Sequence, residues 1–103
     1  MNQIERISEM EEKLNRARKA LDVFSEALAA YRDVQDDLRA LSDYYGSEEW
    51  RKDFEDDEQG ALPKDLPRGV LSEDAVYDLL TDNRELLTET LETAADITKW
   101  GIS

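Results

Sequence analysis

Between Gln3 and Tyr45 the apolar positions recur every seven residues in two interleaved rows. One row is Ile7, Leu14, Leu21 and Leu28; the other is Met10, Ala17, Phe24, Tyr31, Leu38 and Tyr45. Alternating spacings of three and four form the seam of a helix that packs lengthwise on another. Ala20, Ala27, Val34 and Leu41 widen the stripe on one side, as a straight helix of about 3.6 residues per turn would require. The stretch holds neither Pro nor Gly. The pattern therefore predicts one helix over residues 3–45, a rod of about 60 Å at ~1.5 Å per residue. Its stripe is expected to be core rather than a partner-binding face. Gln35 interrupts the first row where an apolar residue is due, which places it at the core's edge or makes it a register device.

A second stripe, Val76, Leu80, Leu87, Ala94 and Ile97, thickened by Leu79, Leu86 and Leu91, predicts a helix over residues 72–100. Ser72 is its expected cap, with Glu73 and Asp74 in the first turn and Gly101 at the stop. Asn83 and Thr90 fall within the stripe, and a buried Asn there would need partners. Residues 46–71 connect the two helices. Gly46 suits the left-handed turn after a helix, and Ser47 suits the cap of a short one that carries Trp50 and Phe54 on one face. Residues 61–71, with Pro63 and Pro67, read as an irregular strap whose Leu62, Leu66, Val70 and Leu71 dip into the core. The fold expected is all-α: a long antiparallel, coiled-coil-like helical hairpin with a short helix and a strap in its connector, forming a single domain over residues 1–103.

Charge sharpens that picture. The chain has 26 acids against 13 bases and a formal charge of −13, which argues against binding a nucleic-acid backbone or an anionic membrane surface. Residues 1–45 carry seven of the bases, and residues 72–103 only Arg84 and Lys99. Arg6, Lys13, Arg18, Arg32 and Arg39 flank the first seam and would face acids of the last helix across an antiparallel hairpin. Two helices and a short third cannot cover so long a stripe, so pairing of two hairpins is expected, a homodimer through the apolar helix faces.

The absent residue types narrow the chemistry. With no Cys and no His, disulfides, thiolate nucleophiles, Ser-His-Asp triads and zinc or di-iron sites that need those ligands are excluded. No cofactor is expected. Asp53, Glu55 and Asp57 have the opening spacing of a calcium loop, but Glu58 stands where its glycine belongs and Lys64 where its closing Glu belongs. The acidic run 55–58 is thus expected to be a solvated helix end and no metal site is assigned. The first residues hold no apolar run of signal-peptide type, and a cytoplasmic protein is expected.

The segments YYGSEEW, DFEDDEQGALPKDLPRGVL and SEDAVYDLL resemble the core pattern of the family termed domain of unknown function 4298. The resemblance spans residues 44–87, carried by the Tyr44-Tyr45 pair, Trp50, the run from Gly60 to Pro63 and the run from Arg68 to Asp74. It implies a short bacterial protein and no particular activity.

The function expected is a self-associating protein-interaction or scaffolding module with an unidentified protein partner. Tyr44, Tyr45, Trp50, Arg68 and Tyr77 are the candidate binding residues, since Tyr, Trp and Arg dominate interface energetics and gather here on an irregular segment. Their alternative role is structural, with Arg68 clamping carboxylates or carbonyls of the turn. Two other functions are weighed. Glu9-x-x-Glu12 and Glu89-x-x-Glu92 share one spacing with magnesium-dependent all-helical nucleotide pyrophosphohydrolases, but no Glu-x-x-Asp partner follows on the seam. An acidic nucleic-acid mimic is the third, weakened by the bases that interrupt the first helix.

Overall fold

A computed structural model describes residues 2–101, and these form an all-α protein. In order they are α1 (Gln3–Asp33), α2 (Gln35–Tyr44), α3 (Glu48–Glu58), a 3-10 turn (Gly69–Leu71) and α4 (Ala75–Thr98). The chain divides into two compact units between Asp36 and Asp37.

The first unit is mostly α1. Asn2 caps it reciprocally: its side chain accepts from the Glu5 N–H at 2.8 Å and donates to the Glu5 carboxylate at 3.3 Å. Exposed pairs four residues apart, Lys13–Glu9 at 2.6 Å and Arg18–Asp22 at 3.5 Å, add modest support. The helix expected to run unbroken to residue 45 stops at Asp33. Val34 leaves helical geometry at φ −95° and ψ 5°, and the chain resumes as α2. Gln35 supplies the physical reason. Its side-chain amide donates to the Tyr31 carbonyl at 2.8 Å, competing for the acceptor that a continuous helix would use. The polar residue that interrupts the stripe sits where the helix is interrupted. The stripe expected to be core is not buried in α1, which contains no buried residue.

In the second unit the last helical bond of α2 is the Tyr45 N–H donating to the Leu41 carbonyl at 2.9 Å. Gly46 then turns the chain at φ 82°, a conformation that other residues adopt only at a cost. Ser47 joins two helices at once: its Oγ accepts from the Trp50 N–H at 3.1 Å and donates to the Tyr44 carbonyl at 2.6 Å. The helix α4 begins three residues later than expected, yet Ser72 still caps it, accepting from the Ala75 N–H at 3.0 Å. Residues 69–71 are taken up by the 3-10 turn. Among the described residues only Leu71 and Val76 are buried. Leu41, Val70, Val76 and Leu79 line one shallow cleft. The end of α2 and the start of α4 therefore meet there, as the closed end of a hairpin requires. Of the strap leucines and valine expected inside, Leu62 is half-buried, while Leu66 and Val70 are exposed. The strap turns at the surface through the Leu66 N–H and the Pro63 carbonyl, and only Leu71 reaches inward.

With so little buried, Leu71 carries a large share of the second unit's stability. Leu71→Ala is expected to cost about 3 kcal/mol in urea unfolding. Leu91→Ala, on an open face of α4, is expected to cost under ~1 kcal/mol by the same measurement.

Candidate functional site

The connector gathers four of the five candidate residues by distinct contacts. Gly46 and Ser47 aim α3 so that Trp50 meets its neighbours. The Trp50 ring stacks on Phe54 at a centroid distance of 5.2 Å and meets Tyr45 edge-on at 5.3 Å. Its indole N–H donates to the Val70 carbonyl at 2.9 Å. The Tyr45 hydroxyl donates to the Glu73 carbonyl at 2.8 Å. These two hydrogen bonds tie α3 to the 3-10 turn and the end of α2 to the segment that leads into α4.

Arg68 acts on the other side of the strap. Its guanidinium donates to the Asp57 carboxylate and to the carbonyls of Pro63 and Leu66, the last through Nε at 3.2 Å. One planar cation thus pins the end of α3 and two points of the strap, a task that suits the fixed fork of donors on arginine.

Tyr44 is held by Asp53, whose carboxylate accepts its hydroxyl at 2.6 Å. Desolvation, then the hydrogen bond to Asp53 and the negative charges of Asp53 and Glu49, pushes the Tyr44 hydroxyl up to about 12. Tyr77 is different: it lies in the first turn of α4 and is 60% exposed.

Asp53 and Asp57, two members of the calcium-like spacing, thus lie on a helix and each receives a donor from elsewhere in the connector. Among the described residues no three carboxylates come together in a metal-holding group. Both aspartates are anchors that the sequence argument passed over. Their signal was present as one acid opposite the strap's lone arginine and another nine residues beyond Tyr44. No helix of the described residues is long and apolar enough to cross a membrane.

The sequence model of one protein family matches residues 7–93, which takes in α2, α3, the strap and most of α1 and α4. The chain belongs to the family described as domain of unknown function (DUF4298). Neither a curated protein nor a solved structure matches it. In this DUF4298 chain the matched segment contains every contact of the connector just described, so the family match covers a structural knot as a whole.

The Tyr44–Asp53 bond gives a pH signature. Its folded value lies above the ordinary 10.0, so its contribution to stability is complete below pH 10 and is lost as pH rises through about 12. An alkaline absorbance titration is expected to show a tyrosine ionisation near pH 12 that Tyr44→Phe removes. The same substitution is expected to cost about 1 kcal/mol at neutral pH.

Proposed function

We propose that this chain is a protein-interaction module that self-associates through its apolar helix faces. The observation that carries the reading is the state of α1. It spans 31 residues with none buried, while Ile7, Met10, Leu14, Leu21 and Phe24 are each 54–60% exposed along one stripe. A soluble monomer rarely leaves a contiguous apolar strip of that kind uncovered. A lone helix in water is also only marginally stable from propensity and capping, and most helices depend on packing of an amphipathic face. A partner surface would supply both needs.

The connector supports a second, protein-binding role in the same module. Tyr44, Tyr45, Trp50 and Arg68 have their polar groups engaged within the chain, which fixes the shape of their partly exposed surface. Tyr77, nine residues beyond Arg68 on α4, is exposed. Rigid, half-exposed aromatics are the type of anchor that contributes most to interfaces per residue.

Leu14→Glu tests the self-association. Sedimentation of the wild type across micromolar concentrations is expected to show a mass rising from 11.9 kDa towards twice that value. Leu14→Glu is expected to remain at the lower mass, because a carboxylate placed in the seam is unpaired when covered. A wild type that stays at the lower mass throughout contradicts the proposal. Tyr77→Ala is expected to leave both mass and melting temperature unchanged.

A further inference from the structure

We infer that the occupant of the α1 stripe is α1 of a second copy, lying antiparallel, with Ile7 facing Phe24, Met10 facing Leu21 and Leu14 facing Ala17 of the other chain. This rests on the self-association proposed above and adds to it the element, the direction and the register.

Exposure selects the register first. The most open part of the stripe runs from Ile7 to Phe24, and beyond it Leu28 falls to 39% exposed and Tyr31 is half-buried. An antiparallel pair centred on that open part brings its two ends together. Each layer then joins one row to the other, as antiparallel seams do, and the large Leu14 meets the small Ala17 near the dyad.

Charge selects the same arrangement. The positions beside the seam hold Glu11 and Arg18 on one flank and Lys13 and Ala20 on the other, all exposed. In this register Glu11 of each copy lies beside Arg18 of the other, twice over, while Lys13 faces Ala20. A shift of one heptad in one direction sets Arg18 against Arg18 of the second copy; in the other direction it sets Glu11 against Glu11. A parallel pair gains Arg6 with Glu11 but sets Lys13 beside Arg18, again twice. Only the antiparallel, central register joins opposite charges without a like-charge contact, and flanking charges of this kind set partner orientation. Arg18 already reaches Asp22 of its own helix at 3.5 Å, and its further donors leave it able to serve both carboxylates.

Charge exchange tests the inference in the full chain. Arg18→Glu is expected to weaken the dimer about tenfold at low salt, since it sets Glu beside Glu11 of the second copy. Glu11→Arg is expected to do the same, and the double substitution Glu11→Arg with Arg18→Glu to restore wild-type affinity. In a parallel pair Arg18→Glu would tighten the dimer by turning the Lys13 contact attractive, and in a shifted antiparallel pair neither single substitution would weaken it, since each either exchanges one like-charge pair for another or alters a residue that faces no charge. Either result overturns the inference while self-association stands. A nitroxide pair gives an independent reading, because the chain has no native Cys. Labels at Arg16→Cys are expected close to level with one another. Labels at Glu26→Cys are expected to be offset along the axis by ~32 Å, from a rise of about 1.5 Å per residue. Equal distances at the two sites, or wide separation at both, would overturn the antiparallel α1 pair. A chain that stays monomeric would overturn the inference and the proposed function together.

Discussion

Scarcity of buried apolar surface is the constraint on which the rest of this structure depends. Among the described residues two, Leu71 and Val76, are buried. A chain of this size would ordinarily remove more than half of its unfolded surface from water. What the core does not supply must come from polar and aromatic ties or from association. The connector provides the ties. Trp50 reaches Val70, Tyr45 reaches Glu73, Arg68 reaches Asp57 and two strap carbonyls, and Tyr44 reaches Asp53. Four of these ties join residues nine to 28 positions apart, where buried side chains would normally do so.

That division of labour explains why the aromatics sit where they do. A Trp in contact with a Phe and a Tyr shares cover with each of them even when all remain partly open to water. Their N–H and O–H groups then find backbone carbonyls of the turn and of the segment before α4, so polar groups near the cluster are satisfied rather than stranded. An arginine does the same for the strap. The prolines at 63 and 67 limit the strap's conformations but cannot close it, and Arg68 closes it by holding acceptors on both sides.

Much of this was legible in the sequence, for reasons that differ by element. The end of α2 at Gly46, the cap at Ser47, the short helix with Trp50 and Phe54, and the all-α class follow from local rules that act within a few residues. The clamp by Arg68 was legible because an isolated base among acids and carbonyls has few other uses. The break at Val34 was not, since no Pro or Gly marks it; it arises from competition between the Gln35 side chain and the helix for one carbonyl. The late start of α4 was hidden in a similar way, because Ser72 caps as expected while residues 72–74 form a bend and turn before the helix begins. The strap was read as more buried than it is. Leu66 and Val70 are apolar, but a turn at residues 63–66 leaves them at the surface, and a hydrophobic letter does not disclose the direction of a turn. The anchoring of Tyr44 and Arg68 by Asp53 and Asp57 depends on contacts across nine and eleven residues, beyond the reach of a periodic pattern.

The central claim is that α1, which has no buried residue in the chain, is completed by a second copy. Its most direct measurement is thermal unfolding followed by helical circular dichroism over a hundredfold range of protein concentration. If the stripe of α1 is covered only on association, the melting temperature and the helix content before the transition both rise with concentration, as mass action requires. A melting curve and a starting helicity that do not change over that range would contradict the account.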